Sequence, residues 1–202
     1  AALCGPTVRL DPRHGVGAVM PKAQGRSLEE LFEDTAFALL DALGIAVALC
    51  RSLAVLERLR VSHGDIARSN FVVRHPGRPC EARLIDFDNA ALPGAPAPAF
   101  QGQDLYAAPE LLAGQGKPTA ASDRFSLAVL LHELLLGRHP FEALAAGGLG
   151  FAEYVALLQT TTWPEDPAGA AQAPGPGMPP VGVLPRPLHG LFREALQPDP
   201  GR

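Results

Sequence analysis

Two acids and an amide stand out for the chemistry they could share. Asp65 and Asn70 lie five residues apart in His63-Gly64-Asp65-Ile66-Ala67-Arg68-Ser69-Asn70, and Asp86 follows a short apolar run in Arg83-Leu84-Ile85-Asp86-Phe87-Asp88. Magnesium takes oxygen ligands and keeps several waters, so one carboxylate and one amide carbonyl suffice from the protein. The remaining carboxylate can orient a hydroxyl and take its proton. A fold that gathers Asp65, Asn70 and Asp86 could therefore surround one magnesium-phosphate group. The competing reading is local, because Asp and Asn in loops commonly hydrogen-bond their own backbone.

The flanking sequence predicts the elements that must position these residues. Residues 3–10 and Val16 to Met20 read as two strands of a hairpin, and Pro21 to Gly25 as a connector. Ser27 followed by Glu29 and Glu30 marks a helix start, with the short helix ending near Phe32 or Asp34. Leu39, Leu43, Ala46, Leu49, Leu53, Leu56 and Leu59 recur at spacings of three and four, predicting a long, mostly buried helix that starts near Thr35 or Ala38. Phe71-Val72-Val73 and Ala82 to Ile85 read as short strands. The prolines of residues 89–105 exclude a regular helix there. A short helix starts around Tyr106, and a second runs from Thr119 to a stop at Gly137, apolar on nearly every side and therefore central. Phe151 to Gln159 and Leu188 to Leu196 complete the helices, separated by a long loop over residues 164–187.

Composition narrows the class. The 202 residues can bury a real core, and the net charge of −4 without a basic cluster argues against a nucleic-acid or acidic-membrane partner. Cys4, Cys50 and Cys80 are isolated, with no disulfide framework or metal-ligand spacing, which points to a reducing, cytoplasmic setting. The most hydrophobic run, Ala36 to Cys50, is broken by Asp41 and too short to span a bilayer. No signal peptide is visible, and the chain starts without Met, so upstream residues are expected.

At this point the chain resembles the protein kinase superfamily, specifically its larger helical lobe. His63 to Asn70 resembles the catalytic loop, Asp86-Phe87-Asp88 the DFG motif with Asp in place of Gly, and Ala108-Pro109-Glu110 the APE motif, with Tyr106 two residues ahead. Ser122 to Ala128 resembles the start of the central helix, and Gly137-Arg138-His139-Pro140-Phe141 the turn after it. The Met-Pro-Lys, His-Gly-Asp, Asp-Phe-Asp and Gly-Arg-His-Pro-Phe runs are similar to those of bacterial kinase-like proteins of stress or phage-resistance operons. The resemblance implies an α+β fold with a remnant of the small β lobe and hinge in residues 1–24, a helical lobe in 25–202, and an activation segment over 86–110. It implies ATP and Mg2+ as cofactors. Asp65 would be the catalytic acid-base residue, and Asn70 and Asp86 the metal ligands. Met20, Pro21, Lys22 and Ala23 would meet the adenine edge, with Met20 at the gatekeeper position or simply packed in the core. His63 would prop up the loop and Phe87 belongs to the DFG-like block. Asp123 would bind the loop backbone, and Glu110 would pair with Arg202 unless that residue is a frayed terminus.

Four departures qualify the resemblance. The Gly-rich phosphate loop, the strand lysine and its partner acid are absent, which implies poor ATP binding unless upstream residues supply them. Gly64 stands where many kinases carry an Arg, and residues 87–109 contain no Ser or Thr, so activation by loop phosphorylation is not expected. Ala67 replaces a Lys that touches the transferred phosphate. Arg68 either supplies that charge or is a solvated loop residue, and Gln103 stands where a Thr is usual. Asp88 either adds metal-binding capacity or faces solvent. The leading expectation is phosphoryl transfer from Mg-ATP to a protein Ser or Thr. The alternatives are a pseudokinase acting as a binding or scaffold module, and a small-molecule kinase of aminoglycoside or choline type.

Overall fold

Thr119 and Gly137 set the limits of a largely buried helix. The Thr119 hydroxyl accepts from Ser122 N at 3.1 Å while Ser122 Oγ accepts from Thr119 N at 2.8 Å, a reciprocal cap. Gly137 closes the other end at φ +71°, a conformation that costs other residues energy, and donates its N–H to Glu133 O at 2.8 Å. Between them lies Ala120–Leu136. Phe125, Val129, Leu130, Leu134 and Leu136 are all buried, so this helix presents no fully solvated face to stabilise it alone. Each such side chain contributes on the order of 2 kcal/mol by leaving water.

The computed structural model describes residues 7–9, 16–18, 21–34, 39–74, 79–96, 102–145, 148–169 and 179–198. In chain order the elements are β1 (Thr7–Arg9), β2 (Val16–Ala18), β3 (Arg26–Ser27), α1 (Leu28–Asp34), α2 (Leu39–Arg58), β4 (Phe71–Arg74), β5 (Glu81–Leu84), α3 (Pro109–Leu112), α4 (Ala120–Leu136), α5 (Glu142–Ala145), α6 (Phe151–Leu158) and α7 (Arg186–Ala195). Single 3-10 turns cover Arg68–Asn70 and Val181–Val183. The fold is α+β and mostly helical. β1 and β2 pair antiparallel, Val8 opposite Gly17. A separate antiparallel sheet has the order β3-β4-β5, with Arg26 opposite Val73 and Phe71 opposite Leu84. Among the described residues no helix is long and apolar enough to cross a membrane.

α2 packs against both α4 and β5, and α7 lies on α4. The buried residues Ile45, Leu49, Leu53 and Leu56 form the inward stripe of α2, while Val47 and Val55 remain exposed. Ser52 Oγ ties α2 to the sheet by donating to Ala82 O at 2.9 Å. Phe71, Val72 and Val73 of the central strand β4 are consecutively buried rather than alternating, so both of its faces are covered there. Phe125 of α4 and Phe141 stack with ring centres 6.1 Å apart.

Several boundaries differ from the sequence expectation. The Pro21–Gly25 connector does not lead directly into a helix, because Arg26 and Ser27 first pair with β4. Gly25 permits this approach at φ +132°, where a Cβ would lie 2.3 Å from Val73 O. The reciprocal bonds between Ser27 and Glu30 then start α1. α3 begins at Pro109 rather than Tyr106, whose N–H instead bonds Gln103 O in a turn. α7 begins at Arg186 rather than Leu188, since Pro187 in the first turn needs no intrahelical partner. α5 was not anticipated, being a single turn with too little periodicity to register.

Candidate active site

The loop that carries Asp65 is held from below by α4. Asp123 is 2% exposed. Its Oδ2 accepts from His63 N at 2.6 Å and Ser62 Oγ at 3.0 Å, and its Oδ1 from Gly64 N at 2.9 Å. Burial pushes the Asp123 carboxyl above the usual range, and these donors partly offset the shift. Gly64 sits at φ +78°, and a Cβ there would lie 2.6 Å from Asn89 O and 2.9 Å from the Pro118 ring. The position therefore requires glycine for backbone reasons, whatever the charge preference of a longer side chain.

His63 is fully buried and joins the loop to the strand end that leads to Asp86. Asp65 N donates to His63 Nδ1 at 3.2 Å, which leaves Nε2 as the donor to Ile85 O at 2.9 Å. The ring meets Phe87 edge-on at 4.7 Å. Ile85 N in turn donates to Asn70 O at 2.9 Å. One imidazole and one backbone bond thus fix Asp86 beside the Asp65 loop.

Asp65 and Asn70 touch directly. Asn70 Nδ2 donates to both Asp65 O and Asp65 Oδ2 at 2.8 Å. The amide nitrogen is committed, while the carbonyl oxygen accepts from Ser69 Oγ at 3.4 Å and keeps a second lone pair. Asp86 is exposed and holds φ +63°, a left-handed conformation that Asp tolerates better than most residues. An amide oxygen and an exposed carboxylate are donor types that suit a hard cation keeping most of its waters. Among the described residues no group of three His, Cys, Asp or Glu converges as a metal cage.

The far side of the site is built from residues 103–106. Gln103 N donates to Asp65 Oδ1 at 3.0 Å, and Gln103 Nε2 to Ser69 Oγ at 2.7 Å. Tyr106 OH donates to Glu133 Oε2 at 2.7 Å, and Arg68 Nε lies 3.7 Å from the same oxygen. Burial, reinforced by the Glu133 charge, pushes the Tyr106 hydroxyl far above its ordinary range. The Arg68 guanidinium also lies over the Phe32 ring at 5.2 Å from its centre, so Arg68 is anchored on two sides. His139 Nε2 donates to Leu105 O at 2.7 Å and accepts from Phe141 N at Nδ1, at 3.1 Å. Glu133 was missed by sequence reasoning. Its signal was a lone acid inside the apolar run of α4, which has to find a buried partner.

Pro21 and Lys22 are exposed and Ala23 is half-buried in the stretch before β3. Met20 and Arg202 lie outside the described residues. Glu110 is half-buried in the first turn of α3, and its expected pairing with Arg202 therefore lies outside the described residues too. Phe87 is half-buried, and Asp88 is exposed beside it.

Comparison with known proteins accords with this geometry. The family model described as protein kinase domain matches residues 13–173, and the chain belongs to that family. It is 30% identical over 190 residues to the serine/threonine-protein kinase PknA of Corynebacterium glutamicum, covering 91% of this chain and 35% of the relative. A probable serine/threonine-protein kinase, PknB, from the same organism is 29% identical over 132 residues, covering 61% of this chain and 20% of the relative. The dual specificity mitogen-activated protein kinase kinase mek-2 of Caenorhabditis elegans is 38% identical over 101 residues, or 49% and 25% of the two chains. The matched stretch thus spans between about a fifth and a third of the length of these relatives.

Proposed function

We propose that this protein transfers a phosphoryl group from Mg-ATP to a Ser or Thr hydroxyl of a protein substrate. The observation that carries the reading is the contact of Asp65 with Asn70, with Asp86 tied to the same edge through Ile85 N and Asn70 O. Asn70 and Asp86 are the residues that would hold magnesium, which neutralises phosphate charge when bound. Asp65 receives the acceptor hydroxyl and takes its proton. Arg68, held through its Nε near Glu133, is the residue whose remaining guanidinium donors would meet the transferred group. Pro21, Lys22 and Ala23, with Met20, meet the nucleotide base. The names of PknA and PknB support a protein Ser/Thr acceptor. The proposal extends to a cytoplasmic setting and to kinship with bacterial kinase-like proteins of stress or phage-resistance operons.

Phosphoamino-acid analysis tests the acceptor class. The full-length protein is incubated with labelled Mg-ATP and casein, and in parallel with choline and an aminoglycoside. Label on Ser or Thr is the expected outcome. Label confined to the small molecules would reassign the protein to that class of kinase. Nucleotide binding without any transfer would make it a pseudokinase.

A further inference from the structure

We infer that Gln103 is a positioning residue that fastens the segment after Asp86 to the acid-bearing loop without a phosphate group. Its catalytic consequence rests on the phosphotransfer reading, but its geometry does not. Two bonds from one residue make the fastening. The Gln103 backbone N–H reaches Asp65 Oδ1 at 3.0 Å, and the side-chain amide reaches Ser69 Oγ at 2.7 Å. Together they fix both the position and the rotation of the backbone at Gln103 relative to the loop.

The next residues continue the attachment. Leu105 O accepts from His139, and Tyr106 OH donates to Glu133, which also faces Arg68. Asp65, Ser69 and Arg68 of one loop therefore each meet residues 103–106 or their anchor. No charged modification is required for any of these contacts. Residues 87–109 contain no Ser or Thr, and the Tyr106 hydroxyl is buried against Glu133, so the segment offers no free aliphatic hydroxyl to phosphorylate.

The fastening also orients the acid. A carboxylate offers about four lone-pair sites on its two oxygens. Gln103 N takes one site on Oδ1 and Asn70 Nδ2 one on Oδ2, each with a well-formed bond. The carboxylate plane is thereby fixed, while each oxygen keeps a lone pair for an incoming hydroxyl. Gln103 acts through Asp65, by holding that plane and the adjoining backbone where an acceptor chain would lie.

Hydrogen exchange and steady-state kinetics on the full-length protein test this. Gln103→Ala and Ser69→Ala should each speed amide exchange over residues 102–107 by about fivefold, the population change expected for one neutral hydrogen bond. The double variant should exchange no faster than either single one, because both remove the same bond. Ser69→Thr, which keeps the acceptor oxygen, should restore the wild-type rate. With casein as acceptor, the acceptor KM should rise or kcat fall by a similar factor while the nucleotide KM is unchanged. Unchanged exchange over 102–107 in both single variants, or additive effects in the double, would overturn the inference. The expected exchange pattern in a protein that transfers no phosphate would leave the fastening standing and remove the phosphotransfer reading alone.

Discussion

Asp86 combines a left-handed backbone with an exposed carboxylate, which separates its structural and chemical demands. Glycine relieves the backbone cost and adds an entropic one, each of about 1 kcal/mol. Asp86→Gly should therefore hold stability within about 1 kcal/mol of wild type by denaturant unfolding, yet lower phosphoryl transfer by at least about 100-fold. Parallel loss of stability and activity would show that Asp86 is structural. Gly64 makes the opposite case. At φ +78°, with Asn89 O 2.6 Å from any Cβ, Gly64→Ala should cost about 2 kcal/mol or more, read as a lower denaturant midpoint. Gly64→Arg, which brings in the residue common in the family, should cost at least as much. The backbone at this position leaves no room for that residue, a constraint that the identity of the side chain alone could not reveal.

At the scale of elements, the end of α4 is stabilised by a buried ionic cluster that joins Arg138 of the turn after it to Glu165. Arg138 Nε donates to Glu165 Oε1 at 2.9 Å, and Nη1 to Pro179 O at 2.7 Å, just past the end of the helix. Both partners are buried, so removing one strands the other in a poorly solvated site. Arg138→Leu should cost about 3 kcal/mol by thermal or denaturant unfolding, while a cost below about 1 kcal/mol would mean that water enters the cluster. His132 lies in the same region, fully buried between Trp163 and Phe192, with Nδ1 donating to Arg138 O at 2.9 Å. Burial pushes its imidazole down to about 4, against the opposing pulls of its bond to Arg138 O and of the Glu165 charge, and with smaller pushes from the Arg138 and His139 charges. The folded state thus resists a proton that the unfolded chain accepts near pH 6.5. The stabilisation is complete above that pH and is lost as the pH falls through the window down to about 4, by on the order of 3 kcal/mol. His139 shifts in the same direction, so the loss has two contributors. His132→Gln should flatten the pH dependence of stability across this window, and an unaltered slope would assign the effect elsewhere.

Sequence legibility differed by element for physical reasons. Long or strongly capped elements declared themselves: α2 by its leucine spacing, α4 by Thr119 and Gly137 at its ends. β3 did not, because two residues carry no periodicity and its pairing depends on the close approach at Gly25. Asp65 and Asn70, five residues apart in one loop, could be expected from the sequence to come together, and Asn70 Nδ2 does bond Asp65 Oδ2. Gln103 and Glu133 could not be assigned roles that way. The bond from Gln103 to Asp65 is made by a backbone N–H, which every residue but proline possesses. Glu133 owes its role to Tyr106 and Arg68, which are brought to it only by tertiary packing.

For the whole molecule, the central claim is that this fold carries out transfer through Asp65 with nucleotide held by way of Asn70 and Asp86. The direct measurement is magnesium-dependent nucleotide binding followed, on the same sample of full-length protein, by transfer of labelled γ-phosphate to casein. Wild type should bind and transfer. Asp65→Asn should keep nucleotide affinity and lose transfer by about 100-fold or more, because it keeps an acceptor oxygen but cannot take the proton. Asp86→Asn should weaken both. Transfer that survives Asp65→Asn unchanged, or a folded wild-type protein that binds no nucleotide with magnesium present, would contradict the mechanism.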